Sequence, residues 1–319
     1  MIEALILGLG NIGLKYDLEG PGETIMTHTR ACQVHPRVTL IGGIDPNKEA
    51  RRVFEQVTGR PAYASINASR VRPGQVDLVI VSTPTKERIQ VFKDCAALRP
   101  KAILMEKPLA DNYQDGMTIV ETCSQENILL SVNYFRRFDK VVSQIGERIR
   151  RGWLGSPCFA NCYYSGGLFE NGSHYIDLFL DWFGIPSGIG RGVEHKGQTG
   201  HPATLSFFLD YGNFRACFQE INAEYGLGEI DLFFEKGRIR FREYCEHFEV
   251  MKTGADPIFP TYRRLVSAED RELQPDLMRY QYQVLNGIVA AILKGFPIPS
   301  SGKSALSVLK ICTDVLYGG

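Results

Sequence analysis

A chain of 319 residues is longer than one hydrophobic core usually supports, so two domains are expected. Apolar residues make up 44% and charged residues 23%, ordinary globular usage that argues against a disordered chain. The 36 basic and 36 acidic residues cancel, which excludes a field that would gather nucleic acid or an anionic membrane and leaves a small-molecule partner.

The start, Met1-Ile2-Glu3, runs directly into an apolar strand without a basic n-region or a small-residue cleavage site, so no signal peptide is expected. The apolar run Ala4 to Leu9 is far shorter than the about 20 residues a membrane span needs. Short β-branched strands are predicted over Ile2 to Leu7, Val38 to Ile44, Val76 to Val81, Ala102 to Met105 and Ile128 to Val132. Amphipathic helices alternate with them over Lys48 to Thr58, Glu87 to Leu98 and Gln114 to Glu126. This alternation predicts an α/β domain, a doubly wound parallel sheet, over residues 1–133.

From residue 134 to 319 the pattern predicts an α+β domain with a mainly antiparallel sheet. Helices are expected over Lys140 to Arg151 and Ser173 to Phe183. Strands are expected around Cys158 to Tyr164, Ala203 to Leu209, Phe214 to Ile221, Glu229 to Glu235, Arg238 to Arg242 and His247 to Met251, with hairpins at Tyr211-Gly212-Asn213 and Glu235-Lys236-Gly237. Two late helices, Asp276 to Leu293 and Gly302 to Leu316, are able to pack back on the first domain. The eight cysteines form no C-x-x-C pair, as reduced thiols in a cytoplasm would, and Cys245 with His247 lacks the second cluster a metal site needs.

Gly8-Leu9-Gly10-Asn11-Ile12-Gly13 follows the first strand directly, the context a dinucleotide fingerprint requires. The first glycine makes the turn, the second clears the path of the pyrophosphate, and the third lets the backbone pack closely. Asp45, at the end of the second strand, is the candidate ribose partner, though it lies beyond the usual gap of about 20 residues. An insertion over Leu14 to Thr27, containing Gly20-Pro21-Gly22, accounts for the surplus and delays the first helix to about His28. A carboxylate at Asp45 accepts ribose hydroxyls and repels a 2′-phosphate, favouring NAD. Arg51 and Arg52 keep NADP open, although a solvated helix face is their commoner use.

Ser82-Thr83-Pro84 and Met105-Glu106-Lys107-Pro108-Leu109 follow the next two strands. With Asn133-Tyr134-Phe135-Arg136-Arg137-Phe138 and the stretch Gly166 to Asp177, they make the chain resemble the glucose-fructose oxidoreductase, inositol dehydrogenase and MocA family over nearly its whole length. The resemblance implies a Rossmann domain, a C-terminal open-faced sheet used in a homodimer or homotetramer, and a substrate cleft between the domains. It implies cofactor contacts from Ser82, Thr83, Pro84, Glu106 and Lys107, and a reacting carbon faced by Lys107 and His174. Asn133, Arg136, Tyr164 and Asn171 are the accompanying substrate candidates, with Arg137 and Tyr163 beside them; the two arginines would equally serve to bind the other domain.

Hydride removal from a carbinol carbon needs a base for the hydroxyl proton. A free imidazole titrates near neutrality, which suits His174 to the task, whereas a free lysine titrates near about 10.4, so Lys107 would polarise the oxygen or share the proton after burial lowers its pKa. Glu170 stands where many dehydrogenases of the family carry aspartate. The stretch Thr85-Lys86-Glu87-Arg88 lacks the histidine usual there, so no contact is carried over from it. The expected activity is hydride transfer between NAD(H), with NADP possible, and a secondary hydroxyl or ketone of a sugar, cyclitol or sugar nucleotide. The alternatives are an NAD-dependent glycosidase and a non-enzymatic nucleotide-binding regulator on the same scaffold.

Overall fold

A computed structural model describes residues 1–18, 22–195, 204–268 and 274–318. The chain divides into two compact units, residues 1–138 with 277–309, and residues 139–276 with 310–319. Gly20 and Pro21 of the expected insertion, and Ala203 at the start of an expected strand, lie outside the described residues.

The first unit is built on a parallel sheet. Its elements are β1 (Ile2–Leu7), α1 (His28–Val34), β2 (Val38–Ile44), α2 (Lys48–Thr58), β3 (Ala62–Tyr63), α3 (Ile66–Ser69), β4 (Leu78–Val81), α4 (Arg88–Ala97), β5 (Ala102–Met105), α5 (Tyr113–Gln125) and β6 (Leu129–Val132). Strand order β3-β2-β1-β4-β5-β6 puts β1 at the centre with β2 and β4 on either side. β4 and β5 read as unbroken apolar runs because helices bury both of their faces. The two-residue β3 and the single-turn α3 escape sequence patterning because neither is long enough to express a period.

The second unit contains α6 (Lys140–Arg150), β7 (Pro157–Tyr164), α7 (Ser173–Phe183), β8 (Gly188–His195), β9 (Thr204–Asp210), β10 (Arg215–Glu220), β11 (Gly228–Phe234), β12 (Gly237–Arg242), β13 (His247–Ala255) and β14 (Arg263–Ser267). These strands form one eight-stranded sheet in the order β14-β13-β12-β11-β7-β10-β9-β8, antiparallel except for the β7/β10 pair. Alternation sends Cys162, Tyr164, Phe218, Ile230 and Leu232 inward, while Phe159 and Tyr163 stand exposed on the opposite face. Trp182 of α7 stacks on Phe241, and Gly146 of α6 lets that helix close on the indole, since a Cβ there would lie 2.7 Å from the ring.

Helix α8 (Tyr280–Lys294) belongs to the first unit, where Val284, Leu285, Ile288 and Val289 join the core around β1 and α1. Helix α9 (Gly302–Tyr317) ends the described chain. Among the described residues no helix is long and apolar enough to cross a membrane.

Candidate active site

The fingerprint glycines occupy three different environments. Gly8 has φ +90° and a Cβ there would lie 2.5 Å from the Ser82 carbonyl oxygen, while one on Gly13 would lie 2.1 Å from that of Gly8. A Cβ on Gly10 would meet no protein atom within 4 Å. The first and third glycines are thus demanded by the protein's own backbone, and the second is not, so any demand for glycine there would come from a ligand such as a pyrophosphate. Ser82 fixes this arrangement by donating its hydroxyl to the Gly8 carbonyl at 2.7 Å.

The insertion splices into a helix without breaking its ladder. Leu14 donates to the Gly10 carbonyl, making one helical turn on the fingerprint. The chain then departs, and on re-entry His28 donates to Ile12 and Thr29 to Gly13, where a continuous helix would bond each amide to the fourth residue before it. The excursion therefore adds about twelve residues, and without it Asp45 would follow Gly13 by the customary gap of about 20. Its neck is closed by the Asp17 carboxylate, which accepts from the amides of Met26 and Thr27 and from the Thr27 hydroxyl at 2.6 Å. The Ile25 amide donates to Met278, and the Tyr280 hydroxyl donates to Met26 beside α8.

Asp45 ends β2 with both carboxylate oxygens on backbone amides, Leu9 at 2.8 Å and Asn47 at 2.8 Å. Each oxygen keeps a lone pair for a ribose hydroxyl. Arg52 pairs with Glu49 on the exposed face of α2. Arg51 does not share that solvated role: its guanidinium folds back onto the carbonyls of Asp45 and Pro46.

At the carboxyl end of β5, Glu106 turns inward rather than toward solvent. Its Oε1 lies 2.8 Å from His28 Nε2 and accepts from Asn133 Nδ2 at 2.6 Å. Burial alone would push the Glu106 carboxyl up, but the His28 and Asn133 hydrogen bonds and the nearby Arg88 charge hold it below the usual carboxylate range. Asn133, expected as a substrate contact, also donates to Gln281 and is buried in this network. Lys107 follows Glu106, half-buried, with a cis bond to Pro108. Thr83, just beyond β4, keeps a buried hydroxyl without a hydrogen-bond partner among the described residues. Arg136 is buried with its guanidinium 4.6 Å from the Phe135 ring centre, and Arg137 donates to the Pro299 carbonyl. His28 and Arg88 were both passed over in the sequence; a cation opening a helix against the macrodipole was the available sign for Arg88.

In the second unit, Gly166 and Gly167 take φ of +82° and +91°, and a short π-turn over Leu168–Gly172 leads into α7. Asn171 fastens this loop by donating to the Ser165 carbonyl at 2.6 Å. Glu170 is exposed on the turn, and His174 and Asp177 lie buried in the first turns of α7. Tyr164 departs from expectation: it points to the helix-covered side of the sheet, fully buried beneath Gly172, so its phenol faces no approach for a substrate. Burial, reinforced by Glu220, pushes that phenol well above the usual tyrosine range.

Beside the loop lies a cavity of about 930 Å³, lined by Asn171, Glu220, Asn222, Tyr225 and Tyr244 among others. Arg191 also borders it, but its guanidinium donates to the carbonyls of Val315 and Leu316 at the end of α9. The cavity escaped sequence reading because its lining comes from separate strand ends.

The family model described as an oxidoreductase family with an NAD-binding Rossmann fold matches residues 2–134. A scyllo-inositol 2-dehydrogenase (NADP⁺) of Bacillus subtilis is 27% identical over 192 residues, covering 54% of this chain and 49% of that one. A scyllo-inositol 2-dehydrogenase (NAD⁺) of the same organism is 24% identical, covering 72% of this chain and 66% of that one. The chain thus spans from about half to two thirds of the length of these curated relatives. The WlbA dehydrogenase of Bordetella pertussis, solved with NADH and UDP-GlcNAcA, shares the fold across 99% of this chain and 96% of its own, with a TM-score of 0.76 at 17% identity. Fingerprint, Glu-Lys-Pro turn, paired sheets and these likenesses agree: residues 2–134 match the oxidoreductase family with an NAD-binding Rossmann fold, and the chain is similar to the glucose-fructose oxidoreductase, inositol dehydrogenase and MocA oxidoreductases.

Proposed function

We propose that the chain transfers a hydride between NAD(H) and a secondary hydroxyl or ketone of an uncharged polyol, a sugar or cyclitol. The observation that carries this reading is the edge formed by the carboxyl ends of β1, β2, β4 and β5. There the clearance at Gly10, the Asp45 carboxylate and Lys107 supply the three things such chemistry needs: room for a pyrophosphate, a ribose acceptor and a cation for a developing alkoxide. A bound nicotinamide would give or take the hydride, and the chain's own groups would manage the proton. In this reading His174 removes it from the reacting hydroxyl, Lys107 stabilises the oxygen as negative charge grows, and Glu170 relays or merely borders the exchange.

The second-unit cavity supports a polyol over an anionic substrate. Glu220 is its carboxylate, and Asn222 and the two tyrosines add neutral hydrogen-bonding groups, whereas the lining Arg191 is committed to the α9 carbonyls. Such a wall suits hydroxyls and repels phosphate. The relatives named as inositol dehydrogenases favour the same class. The exposed Phe159 and Tyr163 on the bare face of the sheet support homo-oligomer formation there, which light scattering on a Phe159→Asp variant would test.

The deciding experiment screens sugars, cyclitols and sugar nucleotides with NAD and NADP, following the absorbance of reduced nicotinamide. Net reduction of NAD with a neutral polyol is expected. Release of an aglycone with NAD returned to its starting state would identify a glycosidase instead, and binding of NAD without turnover of any substrate would favour the regulator.

A further inference from the structure

Arg88 is the first residue of α4 and only 2% exposed. Its position is doubly unfavourable: a cation meets the positive end of the helix macrodipole, and a guanidinium is stripped of water. Burial lowers its pKa to about 10, opposed by the Glu106 charge, so it stays protonated at neutrality. Surface helix design would not place arginine here, and something else must hold it.

What holds it is main chain. One terminal nitrogen donates to the Thr83 carbonyl at 2.9 Å; the other donates to the carbonyls of Glu106, at 2.7 Å, and Pro108. No hydrogen bond joins the guanidinium to a carboxylate among the described residues, because Glu106 directs its Oε1 to His28 and Asn133. The acceptors on Glu106 and Pro108 flank Lys107, and the one on Thr83 ends the neighbouring strand. A planar fork bonded to both sides of one residue, and to the adjacent strand end, fixes where that residue's Cα sits.

We infer that Arg88 is a positioning residue that locks the Lys107 backbone to the end of β4 and so sets the origin from which the Lys107 ammonium reaches its target. Resting as it does on the reading of Lys107 as the alkoxide-stabilising group, the proposal needs a readout independent of turnover. An ammonium at position 88 is a single point donor and cannot span the three carbonyls, so Arg88→Lys should release the turn while keeping the charge.

The test compares wild type, Arg88→Lys and Arg88→Ala by mass-spectrometric rates of trace acetylation at Lys107, with the exposed Lys101 of the same unit as internal control. Release of the turn should change the Lys107 rate by roughly threefold or more with the Lys101 rate unchanged, as for a local rather than global opening. On a substrate found in the screen, Arg88→Lys should lower kcat by about tenfold with little change in KM, and adding it to Lys107→Ala should cost nothing further. An unaltered Lys107 rate in a folded Arg88→Lys protein, or losses that multiply with those of Lys107→Ala, would overturn the assignment. Should no substrate turn over, the reading of function fails while the acetylation rates still decide the role of Arg88. Arg88→Ala repeats the labelling arm without the charge, so a variant that fails to fold leaves the other to answer.

Discussion

The fingerprint turn of the first unit is held by backbone, whereas the cavity of the second is walled by side chains drawn from separate strand ends. Gly8, Gly13 and Ser82 fit against carbonyl oxygens, and Arg88 grips three more. Around the cavity, by contrast, Glu220, Asn222, Tyr225 and Tyr244 come from the end of β10, the connection into β11 and the turn after β12. A site made of backbone tolerates few sequences and advertises itself in them; a site made of side chains changes its substrate by changing any one of several residues.

The severest way to break this comparison is to remove the two groups proposed to act on the substrate, one from each unit. Lys107→Ala and His174→Ala should each lower turnover by roughly 10² to 10⁴ while leaving NAD affinity nearly intact. If both act on one proton, the double variant should lose less than the product of the single losses. Near-normal steady-state rates for either single variant would remove it from the mechanism. Glu170→Gln, on the exposed turn, then separates a relay from a bystander by whether kcat falls with it.

What was readable in the sequence follows the same division. The strands Ile2–Leu7, Val38–Ile44 and Ala102–Met105, and the helices Lys48–Thr58 and Ser173–Phe183, begin and end where their patterns say, because burial on both faces or one stripe leaves a clean signal. The edge strands β8 and β14 gave no comparable signal: their polar and glycine-rich stretches lack a sustained period. The delayed first helix was legible from the Gly-Pro-Gly breaker, but the helical turn preserved on the fingerprint was not, since no local pattern tells that Ile12 will bond His28. His28 was invisible for the same reason, acquiring its role from a partner remote in sequence, whereas Arg88 left only the sign of a cation at a helix start. Tyr164 is a cleft-facing candidate beside Tyr163 in the sequence, and strand parity turns it inward instead.

The glycines sharpen the contrast between protein-imposed and ligand-imposed constraint. Gly13→Ala drives a methyl into the Gly8 carbonyl and should destabilise the first unit by about 2–4 kcal/mol, seen as a lowered melting temperature without any ligand. Gly10→Ala meets no protein atom, so its melting temperature should match wild type while NAD affinity falls by about tenfold or more in a titration of protein fluorescence. Equal effects of the two substitutions on the unliganded protein would mean that the second glycine is also structural.

A smaller effect should separate the two dinucleotides. Asp45→Ser removes the repulsion of a 2′-phosphate while Arg51 stays folded on the adjoining carbonyls, so the ratio of NAD to NADP affinity should drop by roughly tenfold. An unchanged ratio would assign discrimination to some group other than Asp45.

The smallest expected effect concerns acid. Because the folded chain keeps the Glu106 carboxyl below its ordinary range through His28, Asn133 and Arg88, its stabilising contribution is complete above the unfolded value of about 4.3. It is lost as pH falls through the lower folded value, where the unfolded chain has already taken up its proton. Glu106→Gln carries no proton to exchange. Between pH 5 and about pH 3 the melting temperature of wild type should therefore fall further than that of the variant, by of the order of 2 °C. At neutral pH the variant should be the less stable of the two, since Gln leaves the Arg88 charge without its buried counter-charge. Parallel acid limbs for the two proteins would show that the network beneath Lys107 does not hold Glu106 ionised, and the backbone-built end of the molecule would then owe its rigidity to Arg88 and the glycines alone.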